Sequence, residues 1–414
     1  MKFLHLADLH LGKTIAGVSL LESGDQPRWV EDFLALAAET APDAVLIAGD
    51  VYDRSAPSGD AVQLLDRLLT GLAGLHIPSL LVAGNHDSGQ RLAFAGDLLK
   101  KQQVHIAGML PPGGALEHVT LEDAYGPVTF WLLPYVFPAL AAQALGDESI
   151  RDYDTAVRRL LAAQKIDFSQ RNVLLAHQNV TYAGAEIERG GSETMVGGLG
   201  QVDAGIFDGF TYVALGHIHA AGRVGRESVR YAGTPLCYHF NETRQPEKGA
   251  LLVELGAPGT EPSFTPLRIP PLHPMRELKG PWEELRAGEL AKERRGEYLR
   301  VVLTDSRITP EIGSFFRSLA QARDSWVLEL TSEYNPFSAG SEDALAEGTG
   351  EKSEEELFAA FYADRCGGES PSEEDLELLH FAGELLRHRQ FKDSNEQKDV
   401  LELLKFLEEQ EERA

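Results

Sequence analysis

What most restricts this chain is that one predicted strand after another stops at a metal-binding side chain. The clearest case is the stretch LVAGNHD: apolar through Ala83, broken by Gly84, then an amide, an imidazole and a carboxylate at Asn85, His86 and Asp87. An uninterrupted apolar run reads as a parallel strand buried on both faces, and in open α/β sheets ligands bind beyond the carboxyl ends of such strands. The arrangement recurs. Residues 2–7 form an apolar run ending in Asp8-Leu9-His10, and 44–48 run into GDVYD, which carries Asp50 and Asp53. In extended chain, residues i and i+2 point to the same side, so D-x-H presents carboxylate and imidazole to one ion. Helical periodicity over 27–41, with Pro27 suited to a first turn, and over 59–72 links these strands. Such alternation predicts an α/β fold.

The series continues. Residues 129–134, 172–176 and 211–215 read as strands; the second delivers His177 and the third leads into His217 and His219. Residues 228–232 and 249–255 look like closing strands, and the glycine-rich stretch 190–200 reads as a loop over the site.

Asp8, His10, Asp50, Asn85, His177, His217 and His219 thus form a candidate ligand set for two ions sharing one bridging carboxylate, the arrangement that clamps both oxygens of an in-line phosphoryl displacement. Asp50 is assigned the bridge, because a carboxylate offers two oxygens where an imidazole offers one lone pair. Four imidazoles argue against magnesium alone and for manganese, iron or zinc. His86 is adjacent to a ligand but surplus to the set, which suits protonation of a leaving oxygen or stabilisation of transition-state charge. Asp53 and Asp87 are expected to hold imidazoles in place.

A chain of 414 residues holds two or three domains. The strand-end pattern stops near Pro270 and Pro271, which divides the sequence into a catalytic domain over 1–270 and a small α+β capping domain over 271–337. A Gly-, Ser- and acid-rich linker over 338–352 and a helical region over 353–414 complete it. Ser353 with Glu356, and Ser394 with Gln397, are capping boxes opening apolar-periodic runs in that last region. The formal net charge is −26, and from Ser338 onward 22 acids face 8 bases. A polyanion partner therefore requires bound cations or a basic partner protein. Cys237 and Cys366 fit no disulfide framework or zinc-finger spacing, Asp8 and His10 interrupt any signal-peptide core, and no run reaches 18 apolar residues. The expectation is a cytoplasmic protein with no membrane span.

The order D-x-H, GDxxD, GNHD, a lone histidine and GHxH resembles the calcineurin-like metallophosphoesterase superfamily. HLADLHLG at 5–12, GNHDSGQRL at 84–92, VALGHIH at 213–219 and YAGTPLCYHFNE at 231–242 narrow the resemblance to its SbcD-type nuclease subunits. That resemblance implies a sandwich of mixed sheets flanked by helices, and a manganese-dependent exonuclease and endonuclease acting on DNA ends and hairpins. It implies one ion on Asp8, His10, Asp50 and His219, a second on Asp50, Asn85, His177 and His217, and His86 as the catalytic histidine. It further implies a homodimer partnered by an SbcC-type SMC-like ATPase, which the C-terminal helices would contact. The sequence departs from the family where Ala221 and Gly222 follow GHIH in place of proline and glutamine. A protein phosphatase, suggested by GDVYDR, a cyclic-nucleotide diesterase and a non-catalytic scaffold are the competing readings.

Overall fold

The computed structural model describes residues 1–182, 200–244 and 248–334, together with 359, 370–372 and 376. Two six-stranded sheets face each other. In the first, Lys2–Leu6, Ala44–Ala48, Ser79–Val82 and Val104–Ala107 run parallel, with Gly249–Glu254 and then Ser263–Arg268 added antiparallel beyond Lys2–Leu6. In the second, Gly126–Leu133, Arg171–His177, Tyr212–Gly216 and Arg226–Tyr231 are parallel, and Glu117–Asp123 and Gly222–Val224 close the edges antiparallel.

The alternation of side chains along each strand explains the layering. Phe3, Leu46, Ala48, Leu80 and Val82 of the first sheet meet Phe130, Leu132, Val173, Leu175 and Ala214 of the second in one core. Their neighbours Leu4, Leu6, Val45, Ile47 and Leu81 point outward onto the helices Asp25–Thr40 and Gly59–Gly74. The outer face of the second sheet is covered by the helices Pro138–Leu145 and Tyr153–Ala162. Gly59–Gly74 shows why a helix forms here: Ser58 Oγ caps it by accepting from Ala61 N at 3.2 Å, and Leu64, Leu65, Leu68, Leu69 and Leu72 make one buried stripe. The first helix opens at Asp25, two residues before the expected Pro27, because Gly24 turns left-handed at φ 88° and frees Asp25 for another task.

That task is anchoring the third sheet. Met275–Gly280, Tyr298–Leu303 and Trp326–Ser332 are parallel, connected by the helices Trp282–Leu290 and Pro310–Gln321, around a core of Leu278, Leu299, Val301, Leu303, Ile312 and Phe316. Buried Asp25 accepts from Tyr298 Oη at 2.7 Å and from His273 Nδ1 at 2.9 Å, tying this sheet to the first helix. Met1–Tyr334 make up one compact unit. The linker expected over 338–352, the loop over 190–199 and, apart from 359, 370–372 and 376, the helical region expected over 353–414 lie outside the described residues. Among the described residues no helix is long and apolar enough to cross a membrane.

Candidate metal centre

The carboxyl ends of both sheets deliver their polar residues to one place. Four of them leave their strands at sharp bends. Asp8, His10 and Asp50 have φ of 53°, 41° and 47°, and His217 has 106°. Non-glycine residues held there cost about 1–3 kcal/mol each and persist only where the surroundings impose them. Here the imposing contacts are short: Asp8 N donates to Gly49 O at 3.0 Å, His10 N to Asp50 O at 2.9 Å, and His217 N to Asp8 Oδ1 at 3.0 Å.

The bends also pack closely against one another. A Cβ on Gly84 would stand 2.1 Å from Asp50 Oδ1 and 2.3 Å from Asp50 N, and one on Gly216 would stand 1.8 Å from Ala48 O. Only glycine fits at either strand end.

Polar contacts within the cluster show what it lacks. His177 Nδ1 donates to Ala48 O at 2.7 Å, so Nε2 carries the lone pair of the neutral ring. That nitrogen faces Asn85 Oδ1 at 3.1 Å and Asp50 Oδ2 at 3.4 Å, acceptor against acceptor. Asn85 Oδ1 lies 3.0 Å from His217 Nδ1 as well. Across Asp50, His10 Nε2 and His219 Nε2 are 3.2 Å apart, with Asp50 Oδ2 at 3.6 Å from His10. Such a set is stable only with positive charge among its members. In the protein alone His177 takes that charge: burial lowers its pKa, but Asp50 and then Asp8 outweigh burial and lift it to about 9. Burial pushes the Asp8 carboxyl up to about 7, whereas at Asp50 burial is overcome by the charge and hydrogen bond of His177, which hold its pKa far below the carboxylate range.

Ligand atoms of Asp8, His10 and His219 lie within 4.8 Å of one another, as do those of Asp8, Asp50 and His177, and those of His10, Asp50 and His86. Overlapping groups around Asp50, built of oxygen and imidazole nitrogen, fit divalent cations. His86 is only half-buried. Its backbone N donates to Asp50 Oδ1 at 2.9 Å, its Nδ1 donates to Asp53 O at 3.0 Å, and its ring stands edge-on to His10 with centroids 4.9 Å apart. Nε2 is left as the reactive nitrogen.

The two supporting acids behave differently. Asp53 Oδ1 stands 3.4 Å from His10 Nδ1 and accepts from Lys13 Nζ at 2.9 Å, so it does face an imidazole. Asp87 does not hold one, contrary to expectation. Its carboxylate accepts from Val51 N at 3.1 Å, Tyr52 N at 2.9 Å and Gly84 N at 2.9 Å, clipping the loop after Asp50 to the loop that carries Asn85.

Sequence reasoning missed three positioning residues. Glu242 is fully buried, with Oε1 at 3.5 Å from His219 Nδ1 and Oε2 at 2.9 Å from Lys248 Nζ. Burial raises its pKa, but His219 and Lys248 outweigh that and hold it at about 2. Gln26 Nε2 donates to His10 O at 2.8 Å while its Oε1 accepts from Gly12 N at 2.9 Å. Tyr238 Oη donates to Leu9 O, with the ring 5.6 Å from that of His10. The only signal for Glu242 was an acid inside the aromatic run YHFNE.

Two facing mixed sheets, with a histidine- and aspartate-rich centre where their strands end, define a calcineurin-like phosphoesterase, and residues 1–221 match the model of that family. Residues 271–365 match the family described as the type 5 capsule protein repressor C-terminal domain. The chain is 31% identical over 311 residues to the D subunit of the SbcCD nuclease of Staphylococcus saprophyticus subsp. saprophyticus, an alignment spanning 73% of this chain and 78% of that protein. It belongs to the family of SbcCD nuclease D subunits within the calcineurin-like phosphoesterases. TT1561 of Thermus thermophilus aligns structurally with a TM-score of 0.34 at 14% identity, over 56% of this chain and 89% of that one.

Proposed function

We propose that this chain is a two-metal DNA phosphodiesterase, cutting DNA ends and hairpins as the nuclease subunit of an SbcCD-type repair complex. The observation that carries it is the convergence of overlapping carboxylate and imidazole groups on Asp50, with Asn85 Oδ1 facing two imidazoles and His86 beside them; membership of the nuclease family supports the substrate. Asp8, His10, Asp50 and His219 hold one ion, and Asp50, Asn85, His177 and His217 the other. Mixed imidazole and carboxylate ligation argues against magnesium alone and admits manganese, iron or zinc, and the family resemblance selects manganese among them. When bound, such ions polarise a phosphoryl oxygen and supply a nucleophile at neutral pH.

The protein's own groups do the rest. His86, fixed through Nδ1 by the Asp53 carbonyl, offers Nε2 to the leaving oxygen or to the charge that develops on the phosphate. Asp53 and Glu242 orient His10 and His219 from behind. Asp87 keeps the loops carrying Asp50 and Asn85 in register.

For partners, the reading is DNA, a second copy of the chain and an SbcC-type ATPase. Phe94 and Leu98, 80% and 66% exposed just after the GNHD loop, support a self-association surface. Residues 271–337 serve as a capping domain, and residues 353–414, beyond the 338–352 linker, bind the ATPase. The decisive experiment offers purified protein a hairpin DNA, a phosphopeptide and a cyclic nucleotide, each with manganese, with magnesium and with EDTA. Manganese-dependent DNA cleavage that stops on chelation is expected. Cleavage that persists in EDTA refutes the two-metal reading, and preference for the phosphopeptide moves the chain to the phosphatases.

A further inference from the structure

Beside Asn85 the metal centre opens into a cavity of about 500 Å³, running from Asn85 past Tyr135 and Phe137 to Met109 and Leu140. Its character changes abruptly from that of the centre. Among the described residues no basic side chain lines it, and its one acid, Asp87, is already occupied by three backbone amides. Met109, Phe137 and Leu140 are 55%, 47% and 52% exposed around its mouth, an apolar rim set directly against a polar catalytic surface. A cavity of this size, lined mostly by apolar and aromatic side chains with a few polar groups, has the form of a ligand site.

The wall is fixed rather than loose. Tyr135 N donates to Ala83 O at 2.8 Å, pinning the segment 134–137 to the strand that leads into Asn85. The Tyr135 ring lies 6.1 Å from the His217 ring at 29° and meets Phe137 edge-on at 4.9 Å and 77°. Its hydroxyl donates to Tyr153 Oη at 3.5 Å. An aromatic wall thus continues outward from a predicted metal ligand. Gln143 is a polar side chain available at the rim for the edge of a planar heterocycle.

Taking the chain as a DNA phosphodiesterase, we propose that this cavity is a nucleobase subsite: the base of a nucleotide next to the scissile phosphate leaves its stack and inserts against Phe137, with Leu140 and Met109 closing over it. A π face suits every base, so the subsite holds DNA without reading sequence. A base can enter only when unpaired, which costs least at a frayed end or a hairpin tip. The cavity accordingly selects where along DNA the centre can act. The scissile phosphate reaches the ions only when its neighbouring base has somewhere to go.

The test combines one protein change with one substrate change. Single-stranded oligonucleotides with one cleavable phosphodiester, the others blocked as phosphorothioates, carry either a normal or an abasic nucleotide on one flank or the other. They are cleaved by the full chain with manganese. Phe137→Ala is expected to lower kcat/KM on the normal oligonucleotide roughly 5- to 150-fold, the usual worth of one base stack. An abasic site on one of the two flanks should cost the wild type a similar factor. The two losses should not multiply, since both remove the same contact, and Phe137→Trp should restore the rate. Leu140→Ala, one helical turn beyond Phe137, should behave like Phe137→Ala and guards against a folding defect at one position. Unchanged kcat/KM in both alanine variants, or losses that multiply, overturns the subsite while leaving the nuclease reading intact. Wild-type protein that loads metal yet cleaves no oligonucleotide overturns both.

Discussion

Gly84→Ala adds one methyl group at the point where two strand ends touch. The new Cβ would stand 2.3 Å from Asp50 N, and Cβ contacts below 3.0 Å are essentially never seen, so the loops must part by about 0.7 Å. Asp50 Oδ1, at 2.1 Å, must move by about 0.9 Å. The obstructing atoms are backbone and a carboxylate that also accepts from His86 N, so neither can swing aside as a long side chain would. Overpacking of this size costs about 1–3 kcal/mol of stability. A misplacement near 1 Å in a catalytic constellation costs about 10²-fold in rate. The variant should therefore melt a few degrees early yet lose activity and metal affinity far more steeply. Calorimetric metal titration, DNA cleavage and thermal melting on the same preparation measure all three. Gly288→Ala is the control, because its Cβ enters open space on an exposed helix and should stabilise by up to about 1 kcal/mol. Wild-type metal affinity and cleavage in Gly84→Ala would refute the claim that contact between strand ends sets the ligand geometry.

Asp50→Ala should abolish binding at both ion sites whereas His10→Ala should weaken one, a ranking that elemental analysis of metal per chain decides. His86→Ala should keep both ions but cut cleavage about 10²–10⁴-fold; a variant that loses metal would make His86 a ligand. Burial depresses the pKa of His5, sealed between the sheets against Tyr212 and Leu215, from 6.5 to about 3. The unfolded chain therefore binds this proton first, and the stability involved is complete above about pH 6.5 and lost as pH falls toward 3. Between pH 7 and 5 that loss is about 2 kcal/mol, and urea unfolding of His5→Gln should show a correspondingly shallower pH dependence. Truncation after Phe337 should leave metal binding intact and abolish copurification with the ATPase; unchanged copurification would place the docking element elsewhere.

The strands that carry the candidate ligands could be read because two signals coincided in each. An apolar run such as Ala44–Ala48 is buried on both faces, and the polar residue that follows it has few structural reasons to be there. Edge strands offered neither signal. Glu117–Asp123 alternates half-buried with exposed residues and pairs on one side only, and Met275–Gly280 carries charge at Arg276, Glu277 and Lys279. Their strand character comes from the neighbour they pair with, which local sequence does not name. Asp87 was misjudged for a related reason. Next to His86 in sequence it suggested an imidazole partner, but a three-residue turn back to Gly84 aims its oxygens at backbone amides. Glu242 and Gln26 act on His219 and His10 across separations of 23 and 16 residues, where spacing carries no information.

The pairing of Gly249–Glu254 with Lys2–Leu6 has a consequence for how the protein is made. During synthesis the strand that leads into Asp8 and His10 leaves the ribosome well before Gly249–Glu254, the partner that covers its open side. At about 5–20 residues per second the interval is on the order of 10–50 s. Throughout it, the apolar strand FLHL presents unpaired amides and carbonyls to whatever else is in solution. His217 and His219 also arrive late, so the candidate centre is assembled only after most of the second sheet has been made. An early strand left waiting for a late one gives the newly begun protein an open sheet edge on which other chains can pair, until the late strand is laid down.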